Sequence, residues 1–79
     1  MIKRFTLKEL IHSKNKLGNL VVALRENRSQ NEISKITGIP QSALSRAESG
    51  KVEIKLTSLD KMADKLGYDV SIEFIKRDG

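Results

Sequence analysis

The chain contains no cysteine, a single histidine, a single proline and no apolar run near the length of a membrane span. Without thiols, disulfides and thiolate metal sites are excluded, a composition compatible with the cytosol. The apolar stretches fall short of the roughly 18–20 residues that a bilayer requires, and the N-terminal MIKRFTLKEL lacks the apolar centre of a signal peptide. A soluble, cytoplasmic protein with no membrane partner is therefore expected. His12 has no companions: no Ser/His/Asp set, phosphate-cradling glycine loop or metal-ligand spacing accompanies it. Neither an enzyme nor a cofactor or metal site is expected. Repeats, low-complexity tracts and linkers are also missing, so the 79 residues read as one domain, 1–79. A chain this short buries only about 60% of its unfolded surface, which leaves a marginal core.

Positive charge is in excess, but unevenly. The net charge is +5. Residues 1–28 hold seven basic side chains (Lys3, Arg4, Lys8, Lys14, Lys16, Arg25 and Arg28) against Glu9 and Glu26. From residue 29 onward, acid and base cancel. A basic protein favours polyanions, and here the preference is concentrated in the N-terminal third.

Helical periodicity runs through most of the chain. Thr6 with Glu9 reads as a capping box, with Phe5 stapling onto Leu10 and with Leu7, Leu10 and Ile11 on one face. Ser13 to Asn15 either breaks this helix or lets it run on. Leu17, Leu20, Val21 and Leu24 repeat at i, i+3, i+4, i+7, an amphipathic helix ending near Asn27. Ser29 with Glu32 is a second capping box. Ile33 and Ser34, then Ile36 and Thr37 one turn on, give the inner face that follows. Gly38 allows a tight left-handed reversal, Ile39 plugs the corner, and Leu44 and Ala47 form the next inward stripe. Two short helices joined in this way make a helix-turn-helix, in which the second can enter the DNA major groove. Thr57 with Asp60 predicts a last helix start, Leu59, Met62, Ala63 and Leu66 line its inner face, and Gly67 stops it.

Gln30, Glu32, Ile33, Ser34, Gly38, Ile39, Gln41-Ser42, Leu44-Ser45, Glu48, Gly50 and Lys51 together resemble the Cro/cI-type (XRE) family of phage-repressor helix-turn-helix domains. With Leu17-Gly18 and the Leu59–Leu66 helix, the likeness covers roughly residues 17–67. It implies a mainly α, lambda-repressor-like bundle of about five helices, with the helix-turn-helix at residues 30–48. Two features depart from the family pattern. The run from Leu24 to Gln30 is about two residues shorter, and Pro40 replaces the usual Ser/Thr cap, presetting φ but removing a capping oxygen.

The outward face of the second motif helix collects Gln41, Ser42, Ser45 and Arg46. Gln pairs bidentately with adenine and Arg with guanine, and Ser serves either base. By resemblance, Gln41, Ser42 and Arg46 occupy base-reading positions, with Ser45 at their margin. Gln30 stands at a helix N-terminus, where free N–H groups and the dipole favour a phosphate. The family likeness gives it a backbone contact, with Ser29 and Asn31 beside it. Ser49 and Lys51, at the far end of the recognition helix, are expected near a second phosphate. Arg25 and Arg28 flank the motif as further phosphate contacts. Glu48 matches a position that braces the fold by a hydrogen bond.

At the C-terminus the period changes. Val70-Ser71-Ile72-Glu73-Phe74 alternates apolar with polar, the pattern of a half-buried strand spanning about residues 69–76. A lone strand leaves its backbone groups unpaired. Two partners are available: Ile2-Lys3-Arg4-Phe5, which is short, or the same strand of a second copy about a two-fold axis. The second makes Val70, Ile72 and Phe74 dimerisation residues. The segments Ser45–Lys51 and Leu66–Ile72 resemble the HipB- and HigA-type antitoxins. That likeness implies a homodimer that represses its own operon at a near-palindromic double-stranded DNA operator and holds a protein toxin. A stand-alone phage-type or chromosomal repressor, and a protein-interaction module on the same fold, are the alternatives.

Overall fold

Five helices form between residues 2 and 78, the part of the chain that the computed structural model describes. They are α1 (Leu7–His12), α2 (Gly18–Arg25), α3 (Gln30–Thr37), α4 (Gln41–Glu48) and α5 (Leu56–Lys65). The amphipathic stripes of α2 to α5 converge on one centre. Val21, Ile33, Leu44, Leu59 and Met62 are buried there, each of the four helices contributing at least one. Leu20, Leu24, Ile39, Ala47, Ile54 and Leu66 pack around them. Each fully buried aliphatic side chain contributes about 1.5–3 kcal/mol, so a chain of this length holds together on few residues.

The ends of the helices follow from local chemistry. Thr6 Oγ1 accepts the Glu9 N–H at 3.1 Å and starts α1. Ser13 ends α1, its N–H donating to the Leu10 carbonyl, so α1 and α2 are separate helices. Six residues make under two turns, and only Leu10 of the expected apolar triad reaches the domain; Leu7 and Ile11 are exposed. Likewise Ile33 and Thr37 define the buried line of α3, and Ile36 lies to one side of it in solvent. The expected start of α5 at Thr57 is corrected: Leu59 N–H bonds the Lys55 carbonyl at 3.0 Å, so the helix begins at Leu56 without a side-chain cap. It ends as Gly67 requires. With φ at 83°, Gly67 lets the Tyr68 N–H return to the Ala63 carbonyl at 2.8 Å, a Schellman closure.

α2 stops at Arg25 rather than near Asn27. The Arg28 N–H donates to the Arg25 carbonyl at 3.0 Å and closes a four-residue turn. Glu26 sits in it at φ 55°, ψ −117°, the first central position of a type II′ turn, which favours glycine. This tight, strained turn is how the short connection to α3 is made.

Gly18 fixes how α2 meets α4. It is buried at the start of α2, and a Cβ there would collide with the Ala47 carbonyl oxygen and lie 2.8 Å from that of Glu48. Backbone cannot yield as a flexible side chain can. Gly18→Ala is expected to cost about 1–3 kcal/mol by forcing the helices apart. Thermal denaturation followed by circular dichroism checks this, and an unchanged midpoint would remove the argument.

The described residues contain no strand. Residues 69–78 form an exposed segment without regular structure in the isolated chain, and no other described residue, those of the Ile2–Phe5 segment included, pairs with it as a strand. Among the described residues no helix is long and apolar enough to cross a membrane.

Candidate nucleic-acid interface

The two motif helices are set by a turn whose polar groups are nearly all satisfied. Ser29 Oγ accepts the Glu32 N–H at 3.1 Å and the Glu32 carboxylate reaches back to the Ser29 N–H, so the expected capping box opens α3. At the other end Gly38 adopts φ 77°, and its N–H donates to the Ser34 carbonyl at 2.8 Å. Thr37 is buried, its hydroxyl donating to the Ile33 carbonyl at 2.7 Å and accepting the Ile39 N–H at 3.3 Å. From α5, Lys65 Nζ donates to the Thr37 carbonyl at 3.2 Å, placing a cation at the C-terminal end of α3. Pro40 then leads into α4 without a side-chain cap, as its chemistry dictates.

α4 is thereby held with Leu44 inward and its polar face outward. Gln41, Ser42, Ser45 and Arg46 are all exposed on that face. None of these four side chains hydrogen-bonds another described residue, so each is available to a ligand. The helix closes on Gly50 at φ 77°, with the Lys51 N–H returning to the Arg46 carbonyl at 3.0 Å and the Gly50 N–H to Ala47 at 3.2 Å. Ser49 Oγ donates to the Arg46 carbonyl at 3.1 Å. Backbone donors at this end are thus turned into the helix, and it is the exposed ammonium of Lys51 that faces outward.

Glu48 is the hub beneath this face. Its carboxylate is buried and accepts two donors at one oxygen, Arg25 Nη2 at 2.9 Å and Gln30 Nε2 at 3.0 Å. Its other oxygen lies 2.8 Å from Arg25 Nε, as an ion pair outside hydrogen-bond alignment. One side chain therefore ties α2 and α3 to the last turn of α4. A carboxylate only accepts, so the Gln30 group facing it is the amide nitrogen, leaving its second hydrogen and the amide oxygen for another partner.

These contacts redistribute the expected phosphate set. Arg25 turns inward to Glu48 rather than outward, with only a quarter of its side chain exposed. The Ser29 hydroxyl is taken up by the capping box. Asn31, Arg28, Ser49 and Lys51 are exposed, and Gln30 is half-buried at the N-terminus of α3. Among the described residues no side chain or carbonyl accepts from the Gln30 and Asn31 N–H groups, which leaves this helix end open to an anion. Arg25 could have been placed from sequence, because it lies four residues after the buried Val21 on the inner edge of α2. Thr37, expected on the inner face of α3, is buried there, whereas the close approach at Gly18 gave no such signal.

A family model described as helix-turn-helix matches residues 22–72. The chain belongs to the Cro/cI-type helix-turn-helix family. Membership makes it a DNA-binding domain of transcription regulators, with α3 and α4 as its helix-turn-helix pair. No curated protein and no solved structure matches the chain significantly.

Proposed function

We propose that this helix-turn-helix domain is a cytoplasmic, homodimeric repressor that reads a near-palindromic operator with Gln41, Ser42 and Arg46, Ser45 lying at the edge of the contact. We propose further that it serves as the antitoxin of a toxin–antitoxin pair and represses its own operon. The observation carrying the first reading is the recognition helix itself. Its exposed face is polar, with no apolar side chain of the kind a protein-docking face would present. Gln30, oriented by Glu48, supplies a neutral phosphate contact at the start of α3, with Asn31, Arg28 and Lys51 around it. Dimerisation is supported by the C-terminal segment, where Val70, Ile72 and Phe74 are 47%, 74% and 98% exposed. Pairing with the same segment of a second copy would satisfy its backbone and cover those side chains. The antitoxin role rests on the likeness of Ser45–Lys51 and Leu66–Ile72 to that subgroup, and a small toxin gene beside this one would support it.

Selection of bound duplexes from a random pool tests the DNA reading. Two symmetric recognition helices require half-sites about 34 Å apart, one helical turn. On the selected site, Arg46→Ala is expected to cost about 1–3 kcal/mol per half-site and to relax preference at one base position. Gln30→Ala should weaken all base variants alike and by less. Should Arg46→Ala leave both affinity and base preference intact, a protein-interaction role for this face takes first place.

A further inference from the structure

The charge excess of this chain lies mostly outside the residues that match the family. Residues 2–17 precede the matched segment and carry Lys3, Arg4, Lys8, Lys14 and Lys16 against Glu9 alone. The fold brings one part of this extension to the recognition helix. A Cβ on Gly50 would lie 3.1 Å from Asn15 Cα, 3.3 Å from the Lys14 carbonyl oxygen and 3.4 Å from that of Asn15. The α1–α2 turn is therefore seated against the end of α4, one residue step of about 3.8 Å separating each flanking lysine Cα from that contact. Gly18, at the end of the same turn, packs on the α4 carbonyls.

The turn is ordered by its own bonds. Ser13 Oγ accepts from the Asn15 N–H at 3.3 Å and from Asn19 Nδ2 at 2.5 Å. The Lys16 N–H donates to the Ser13 carbonyl at 3.2 Å, and Lys16 holds φ at 47°. Asn15 is half-buried between two exposed lysines, Lys14 and Lys16. Lys51 is exposed on the other side of Gly50. Among the described residues the one salt bridge is Arg25–Glu48, so none of these three ammonium groups has a carboxylate partner.

We infer that Lys14 and Lys16, seated beside Lys51 at the end of the recognition helix, form a second clamp for the DNA phosphate backbone at the margin of each half-site. Three exposed cations without a carboxylate partner among the described residues, carried on backbone that meets at the Gly50–Asn15 contact beside a groove-reading helix, complement a run of phosphates. Their ordered turn holds them there before binding. The inference rests on the DNA reading above and adds a contact contributed by residues outside the family segment.

The test is a salt titration of binding to two labelled short duplexes, one carrying the selected operator and one of random sequence. The combined variant Lys14→Gln and Lys16→Asn (Asn tolerates the positive φ) is compared with the wild type and with Lys14→Arg, Lys16→Arg. Each phosphate contact removed is expected to reduce the slope of log affinity against log salt by about 0.9. The neutral variant should thus lose up to two such steps per half-site, four on the palindromic operator, keep the same base preference, and recover its slope with arginines. An unchanged slope overturns the clamp. So does a lowered melting temperature with an unchanged slope, which would mean that the lysines only neutralise the carbonyl end of α4. A wild type that binds neither duplex overturns the DNA reading itself, a different result from either of these.

Discussion

Glu48→Ala is expected to remove more stability than any other exchange of a polar residue in the domain, and to weaken DNA binding beyond that loss. The substitution deletes the acceptor shared by Arg25 and Gln30 and leaves a guanidinium facing a hole at the α2–α4 junction. Breaking a buried ion pair from one side costs about 3–5 kcal/mol when the remaining charge is sealed in. A quarter of the Arg25 side chain is exposed, so water can reach it. The expected loss falls to about 2 kcal/mol, which lowers the melting temperature of a domain this size by roughly 8–16 °C. Pairing Glu48→Leu with Arg25→Met should return most of that stability, because apolar residues of similar size replace a buried pair at little cost. It should not return DNA affinity, because Gln30 still lacks the carboxylate that aims its amide. Stability and affinity separating in this way identifies Glu48 as the residue that positions the phosphate contact. If both recover together, Gln30 needs no aiming and Glu48 acts on the fold alone.

The same residue shows what could be read from sequence. The order of helices, both motif helices and the polar outward face of α4 follow from spacing, because the 3.6-residue period and the Gly38 turn are local properties. The capping box at Ser29 was legible for the same reason. What was not legible is where two helices touch. Ser29, Arg25 and Gln30 had the chemistry of phosphate ligands, and two of the three bond Glu48 from α2 and α3, an arrangement that depends on the angle at which α4 crosses them. Gly18 is invisible in the same way, since its small size matters only once the Ala47 and Glu48 carbonyls lie over it. Leu7 and Ile11 of α1 stay exposed, while Leu10 is buried, because a helix of six residues at the edge of a domain has little to pack against. The α5 start failed because Thr57–Asp60 carried a capping signal that the backbone did not use.

Ile72→Lys is expected to give monomers, and with them the largest loss of operator affinity of any single exchange. The alternation Val70, Ile72, Phe74 lies in an exposed segment without regular structure in the isolated chain. That is what an edge awaiting a partner looks like, because an unpaired strand gains nothing from forming alone. Antiparallel pairing about a two-fold axis would bury Ile72 against its symmetry mate, contributing about 1.5–3 kcal/mol for each copy. A lysine there places like charges opposite one another across the pair and removes that contribution twice. Loss of the dimer halves the contacts on a palindromic site, so the operator would be bound no more tightly than one half-site allows. The helical domain should keep its own melting transition, because Ile72 lies outside the Val21–Ile33–Leu44–Leu59–Met62 core. Sedimentation velocity of wild type and variant, together with operator titrations, separates these effects. A wild-type protein that sediments as a monomer at concentrations where it binds the operator would remove the C-terminal segment from the interface. The two recognition helices would then have to be brought together by some other surface, or by the DNA.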